Sequence, residues 1–318
     1  MSNIPDITVI IATYNRGEIL RQTLESMTHL NRSGLTVDFV VVDNNSSDHT
    51  KEVIKSFTDK LPIRYLFESH PGKNCALNKA LNEVPLGKLV VFTDDDVNPR
   101  KDWLKSVVSA SQRWPQYSVF GGKQFLIFPD GRTPKWSASK TTATVILGLH
   151  DYGDTERPYP PNDWPFGANL WVRREVFADG RRFDETFGPR PTNRIMGSET
   201  SFLKGLTGDG YGSIYVPSAE VGHRIQPEQL LIFNILKRYY RHGRSIARMR
   251  PLCRVALFDK HPNFWHIVRI GSIIRLSFRL TLSLIPLIFQ RPHRAVDAVR
   301  WIGYNVESMK IARETQLS

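Results

Sequence analysis

Apolar and polar positions follow two periods along the first hundred residues. The run "ITVIIAT" (7–13) is apolar throughout, and "GEILRQTLESMTHL" then sets Ile19, Leu20, Leu24, Met27 and Leu30 at helical spacing. The succession repeats. "VDFVVVDNNSS" (37–47) precedes the helical "DHTKEVIKSF", and "IRYLFES" (63–69) precedes "KNCALNKALNEV". "GKLVVFTDDDV" supplies the next strand. Strand and helix in this order predict an α/β fold with a parallel sheet covered on both faces. From 121 to 166 the rhythm breaks. "GGKQFLIFPDGRTPKW" and "YGDTERPYPPNDWPFG" are rich in Gly, Pro and aromatics, which predicts loops or short edge strands. "ANLWVRREVFADGRRFDETFG" resumes regular structure. "SETSFLKGLTGDGYGSIYVPSAEVGHR" then predicts a helix, a glycine stop and a short strand ending at Pro217.

Beyond Pro227 the pattern changes. "QLLIFNILKRYYRHGRSIARMR" is a basic helical pattern, and residues 264–289 are strongly apolar but carry Arg269, Arg275 and Arg279. With Ser272 and Ser283 these arginines fall toward one side of a helix. The uncharged core, 280–289, is too short to span a bilayer and contains Pro286. The segment fits an amphipathic helix in a membrane interface, or a helix packed on the preceding domain. The pattern therefore divides the chain into a domain over 1–225 and a basic, partly apolar helical region over 226–318.

Composition sharpens this division. The hydrophobic fraction of 41% and charged fraction of 23% are those of a folded globular chain. Cys75 and Cys253 are too few for a disulfide framework or a cysteine metal cluster, and suit a reducing compartment. The N-terminus has no basic stretch before its short apolar run, so it reads as a strand rather than a signal peptide. Net charge is +12, and residues 231–318 hold 16 Lys and Arg against 4 Asp and Glu, so the whole excess lies there. A neutral first domain would do chemistry, and a basic second region would meet an anionic partner, a membrane surface or nucleic acid.

The candidate chemistry sits at strand ends, where ligands bind in sheets of this kind. The first strand ends in Thr13, Tyr14, Asn15 and Arg16, and the second in Asp43, Asn44, Asn45, Ser46 and Ser47. The fourth ends in Asp94, Asp95 and Asp96. An Asx turn or helix cap explains any one of these groups. Three on one edge exceed what solvated loops need. Adjacent carboxylates raise the cost of ionising one another and tolerate each other best around a divalent cation. A helix N-terminus, with Asn98-Pro99 marking a turn, is the other setting that favours them.

In order and spacing, "TVIIATYNRGEILRQTLESM", "VVVDNNSSDHT", "GKNCALNKAL", "VVFTDDDV", "FGANLWVRREVF" and "GSETSFLKGLTGDGY" resemble the family 2 glycosyltransferases over residues 5–225. The resemblance implies an inverting enzyme of the GT-A fold, with a mainly parallel central sheet. It also implies a nucleotide-diphosphate sugar donor and a divalent metal, Mn²⁺ or Mg²⁺. Thr13, Tyr14 and Asn15 would line the nucleotide site. Asp43 would accept a hydrogen bond from the pyrimidine N3–H, which uracil and thymine carry and cytosine lacks, so a UDP- or dTDP-sugar is favoured. Lys73 and Asn78 fall in the stretch that approaches the nucleotide. Asp94 takes the ribose side, Asp95 is grouped with it in the nucleotide site as a middle acid with no contact of its own assigned, and Asp96 is the direct metal ligand, joined by His223 of "PSAEVGHR". Trp164, Gly167 and Asn169 face acceptor and donor sugar. Trp136 and Trp164 can stack on a sugar ring, and Arg241 and Arg244 can meet a diphosphate.

One motif departs from the family pattern. Relatives carry Glu-Asp-Thr at the base, whereas aligning Thr200, Leu206, Gly210 and Tyr211 leaves Ser198 and Glu199 in the two acidic positions. Glu199 would deprotonate the acceptor hydroxyl from one methylene further out. A helix-start carboxylate beside a cap at Ser198 is the simpler alternative. The expected activity is sugar transfer to a glycan or lipid-linked acceptor in bacterial polysaccharide assembly, by a peripheral enzyme at the inner face of the cytoplasmic membrane. A sugar-phosphate nucleotidyltransferase is the enzymatic rival, but it would carry a Gly-rich basic loop where "ATYNRGE" has Gly17 alone. Nucleic acid is not the expected partner, because the basic residues are interleaved with Leu, Ile and Phe rather than set in a recognition module.

Overall fold

The computed structural model describes residues 4–134, 143–190, 195–249 and 292–316. The first half alternates as its hydrophobic pattern requires. β1 (Ile7–Thr13), α1 (Gly17–Thr28), β2 (Val37–Asp43), α2 (Thr50–Lys55), β3 (Ile63–Phe67), α3 (Lys73–Glu83) and β4 (Leu89–Thr93) follow in turn. β1 pairs in parallel with β2 on one side and β4 on the other, and β2 pairs in parallel with β3. Both faces of β1, β2 and β4 are buried, which is why they read as largely apolar runs, whereas β3 at the sheet edge is partly exposed. Ile7, Val9 and Ile11 face one core with Leu20, Leu24 and Trp103, while Ile10, Val40 and Val42 face a second core with Ala76, Leu77 and Ala80 of α3.

β5 (Val97–Pro99), α4 (Trp103–Arg113), β6 (Val119–Ile127), β7 (Arg157–Pro158), β8 (Leu170–Arg173), α5 (Ser198–Gly208) and β9 (Ser213–Arg224) complete the first unit. The nine strands form one mixed sheet in the order β3-β2-β1-β4-β8-β6-β9-β5, with β7 on the side of β9. β8 runs antiparallel to both neighbours, and β6 and β9 are parallel to each other. Two strands differ from their sequence pattern. "GGKQFLI" lies inside the nine-residue β6, in mid-sheet rather than in a loop or at an edge. β9 continues past Pro217 for seven more residues. Pro217 is accommodated because the β6–β9 register shifts there, from Gly122 opposite Val216 to Lys123 opposite Glu220. Its missing N–H therefore falls where no ladder bond is made.

Contacts divide the chain into units Met1–Pro227 and Glu228–Ser318. Within the second, α6 (Ile232–Met249) and α7 (Pro292–Gln316) pack together. They cross at two glycines: a Cβ on Gly243 would sit 1.8 Å from the Arg300 carbonyl oxygen, and one on Gly303 2.0 Å from that of Tyr240. Beneath this crossing Glu307 is buried, accepting hydrogen bonds from Arg244 Nε (2.6 Å) and Arg248 Nε (2.5 Å). Among the described residues no helix is long and apolar enough to cross a membrane. The 264–289 segment and Trp136 lie outside the described residues.

Candidate active site

Strand register gathers the polar ends. Thr13 and Asp43 are paired across β1 and β2, and β4 stops at Thr93, so the turn carrying Asp94, Asp95 and Asp96 emerges at the same sheet edge. The antiparallel pairing of β5 with β9 sets His223 opposite Val97 and brings its ring to Asp96. The three consecutive acids then meet three different environments. Asp94 Oδ1 accepts from Lys73 Nζ at 2.7 Å. Asp95 is buried, with Oδ2 accepting from Thr13 Oγ1 at 2.8 Å and Oδ1 from Arg16 Nη1 at 2.5 Å. Asp96 Oδ2 accepts from Arg16 Nη2 at 2.8 Å.

The other oxygen of Asp96 is the exception. Oδ1 is buried in a side chain that is 5% exposed, closes no hydrogen bond, and lies 3.4 Å from His223 Nε2. His223 Nδ1 lies 2.7 Å from the Leu147 carbonyl oxygen, so that nitrogen carries the proton and Nε2 is turned toward Asp96. A ring N–H on a backbone carbonyl, with the opposite nitrogen beside a bare carboxylate oxygen, is the arrangement of a metal-ligating histidine. Burial raises the Asp96 proton affinity, but His223 in its charged form and then Arg16 hold it well below the usual carboxylate range; a bound cation would take the place of the Nε2 proton. Burial, with Asp96 alongside, pushes Asp95 upward against the pull of Arg16. Burial disfavours the Arg16 charge, yet Asp95 and Asp96 keep the guanidinium protonated.

These residues fit a small divalent cation. Among the described residues no three His, Cys, Asp or Glu side chains are gathered at ligand distance, so the protein offers two donors here, Asp96 Oδ1 and His223 Nε2. Hard cations such as Mg²⁺ are commonly held by one or two side chains plus phosphate oxygens and water, so two protein donors are enough for such an ion.

Glu199 stands in the first turn of α5, and Ser198 beside it is buried against Asn74 of α3 through a hydrogen bond to Asn74 Oδ1. Lys73 Nζ, which holds Asp94, also lies 2.5 Å from Glu199 Oε1. One ammonium thus bridges the acid run to the α5 carboxylate. Burial disfavours the Lys73 charge, but Asp94 and Glu199 hold it protonated. Glu199 also lies against backbone: a Cβ on Gly167 would come within 2.2 Å of that same Oε1, so a larger residue there would displace the carboxylate.

Asp43 forms the floor of a neighbouring pocket of about 530 Å³, walled by Tyr65, Phe67, Ser46 and Lys51. Its Oδ1 accepts from the Ser46 amide at 2.9 Å and its Oδ2 from the Tyr65 hydroxyl at 3.3 Å. Burial, with the Asp43 charge next to it, pushes the Tyr65 phenol up to about 12, so it stays a donor. Phe67 is 45% exposed, an apolar ring left open at the pocket wall.

Residues 8–180 match the family model for glycosyl transferase family 2. The chain belongs to that family. It is 26% identical over 259 residues to glycosyltransferase AglE of Haloferax volcanii, covering 80% of this chain and 78% of AglE. It is 24% identical over 311 residues to the succinoglycan biosynthesis protein ExoM of Rhizobium meliloti, covering 93% and 91%. The structure of mannosyltransferase PcManGT from Pyrobaculum calidifontis, in complex with GDP-Man and Mn²⁺, superposes with a TM-score of 0.59 at 15% identity. It covers 97% of this chain and 88% of that one, which establishes the GT-A fold.

Within this family 2 chain, several predicted site residues have their side chains engaged elsewhere. Asn15, at φ 50°, braces the loop after β2, with Oδ1 accepting from the Ser47 amide at 2.7 Å. Tyr14 beside it is 41% exposed. Thr13 gives its hydroxyl to Asp95. Asn78 pins the 183–185 segment, donating to the Phe183 carbonyl and accepting from the Phe183 amide, each at 2.9 Å. Asn169 accepts from Trp103 Nε1 and donates to the carbonyls of Lys123 and Ala219. Trp164 donates to Thr207 Oγ1 at 3.0 Å. Arg244 holds Glu307. The sequence pattern gave no role to Arg16, Tyr65 or His150. An arginine directly after a strand end, with three acids to neutralise, was the available signal for the first. His150 is held down to about 3 by burial among Tyr152, Tyr159 and Phe166, so it stays neutral.

Proposed function

We propose that this glycosyltransferase is an inverting, metal-dependent enzyme that moves a sugar from a nucleotide-diphosphate donor, UDP- or dTDP-linked, to a glycan or lipid-linked acceptor in polysaccharide assembly. The observation that carries the reading is the convergence of the Asp43 pocket, the Asp94–Asp96 turn with His223, and Glu199, joined by Lys73 at one sheet edge. Asp43 at the floor accepts the imide N–H of the base, and Tyr65 and Phe67 flank the ring. Asp94 takes the ribose side. Asp96 and His223 would hold the cation, which when bound neutralises the departing diphosphate.

Glu199 Oε1 is occupied by Lys73, which leaves Oε2 for the acceptor hydroxyl. As that hydroxyl oxygen attacks the anomeric carbon, its proton passes to Glu199. The bond from carbon to the phosphate oxygen breaks, and its electron pair leaves with the nucleoside diphosphate. Lys73 keeps a positive charge between the base and the leaving group, and Gly167 lets the carboxylate stand against backbone. A single displacement inverts the anomeric centre.

Membrane association of the second unit is part of the same reading. Leu231, Ile232 and Phe233 are 58%, 54% and 70% exposed where α6 begins, and Lys237, Arg238 and Arg241 follow on the same helix. Apolar anchors next to cations suit an anionic bilayer surface on the cytoplasmic side.

A donor screen tests the function. Nucleoside diphosphate release is measured with Mn²⁺ for wild type, Asp96→Ala and Glu199→Gln across UDP-, dTDP- and GDP-sugars. GDP-sugars belong in it because the Pyrobaculum enzyme was solved with GDP-Man. Turnover by wild type, with about a hundredfold loss or more in Glu199→Gln, is expected. Full activity in both variants contradicts the reading.

A further inference from the structure

Asp95, grouped from the sequence with the nucleotide-binding residues, instead has both oxygens engaged within the protein. Its two oxygens are taken by Thr13 and Arg16, and it is 4% exposed. The guanidinium it holds is a planar fork whose second nitrogen reaches only Oδ2 of Asp96. Arg16 is itself fixed at the start of α1: its carbonyl accepts the Leu20 amide, and the preceding Asn15 is locked into the loop after β2. The chain Thr13–Asp95–Arg16–Asp96 thus ends on one carboxylate oxygen and leaves the other, buried and bare, facing His223.

A carboxylate already hydrogen-bonded through one oxygen is restrained from chelating a cation with both. Ca²⁺ takes six to eight oxygens and readily uses bidentate carboxylates, whereas Mg²⁺ and similar small ions demand octahedral geometry and short single contacts. Resting on the metal reading above, we propose that Asp95, acting through Arg16, is a positioning residue. It keeps Asp96 a one-oxygen ligand and so sets the preference of the site for a small octahedral cation over calcium. Asp95 touches neither cation nor donor in this role.

The test is a binding measurement that needs no turnover. Mn²⁺ is titrated into the protein with UDP present to supply the phosphate oxygens, against a protein-free UDP control, free Mn²⁺ is followed by its paramagnetic resonance signal, and Ca²⁺ is then added as competitor. Wild type, Arg16→Met, Arg16→Lys and Asp96→Asn are compared, with thermal melting to verify folding. Arg16→Met should lower the ratio of Mn²⁺ to Ca²⁺ affinity by about tenfold, the scale of losses when partners of a metal ligand are removed. Both cations carry the same charge, so the loss of the guanidinium charge cancels in that ratio and only the change in Asp96 geometry remains. Arg16→Lys keeps the charge but loses the fork, and should fall between the two. An unchanged ratio in Arg16→Met and Arg16→Lys, with Mn²⁺ binding lost in Asp96→Asn, overturns the role of Asp95 and Arg16 while leaving the metal site standing. Mn²⁺ binding that survives in Asp96→Asn, or is absent in wild type, overturns the metal reading and this proposal together.

Discussion

Asp96 of the first unit and Glu307 of the second are both buried carboxylates held by arginine, and they differ by one oxygen. Glu307 has each oxygen capped by its own guanidinium, Arg244 on one and Arg248 on the other. Asp96 has Arg16 on Oδ2 and nothing within hydrogen-bonding geometry on Oδ1. A carboxylate satisfied on both sides is a structural element of a helix pair. One that keeps an oxygen closing no hydrogen bond of its own, beside a histidine, still has a coordination position to offer a ligand. Burial and arginine pairing alone do not distinguish function from scaffold; the unfilled valence does.

Exchanging the roles of these two acids is the strongest challenge to that contrast. Asp96→Asn should lower sugar transfer by about a hundredfold or more, since the proposed cation would stabilise several kcal/mol of developing charge. It should leave the urea midpoint close to wild type, because Arg16 still has an oxygen to bond. Glu307→Gln should do the reverse: unchanged turnover, and a loss of about 2–3 kcal/mol in unfolding free energy from weakened charge-assisted bonds. Parallel rate and urea-unfolding measurements on both variants decide it.

The position of the base gives the next effect. Gly167→Ala drives a methyl into the space of Glu199 Oε1, and a displacement near 1 Å at a reacting group costs about a hundredfold in rate. A kcat that falls about tenfold or more, with an unchanged melting temperature, is expected. Unchanged kcat would show that Glu199 does not act from this position.

Acid sensitivity sharpens the same comparison. Burial raises Glu307, but Arg244 and Arg248 bring its proton affinity below the ordinary value of 4.5. Because the folded value lies below the unfolded one, the stabilisation is complete above the unfolded value and is lost as pH falls through the folded one. The stability gap between wild type and Glu307→Gln should therefore narrow from about pH 6 to about pH 3 in urea unfolding series. The smallest effect belongs to Tyr65→Phe. Losing a 3.3 Å hydrogen bond to Asp43 should raise the donor KM by no more than about fivefold, near 1 kcal/mol, with kcat unchanged.

Much of the fold was legible because β1, β2 and β4 are buried on both faces and their helices on one, so period and run length carried the signal. β6 and β9 were not, because Gly121-Gly122 and Pro217 look like punctuation. The backbone approaches Asn169 closely at Gly122, and the register shift removes the need for the N–H that Pro217 lacks. At the site, Asp43 and the acid triplet stood out by position at predicted strand ends, while Glu199 and His223 were singled out by the family resemblance. The partners that define their roles did not. Arg16 and Asp95 are 79 residues apart and Lys73 and Glu199 are 126 apart, separations across which no local pattern speaks. Asn15, Asn78 and Asn169 show the converse. Their polar side chains in motif segments are used to fix loops and strands, and sequence position alone does not separate that use from ligand contact.

The most direct measurement is a crystal structure of the protein soaked with Mn²⁺ and UDP, with anomalous data collected at the manganese edge. The account predicts an anomalous peak bonded to Asp96 Oδ1 and His223 Nε2, with the uracil N3–H on Asp43 and Glu199 open to solvent beside the diphosphate. Manganese bound away from Asp96, or a base seated outside the Asp43 pocket, would contradict it.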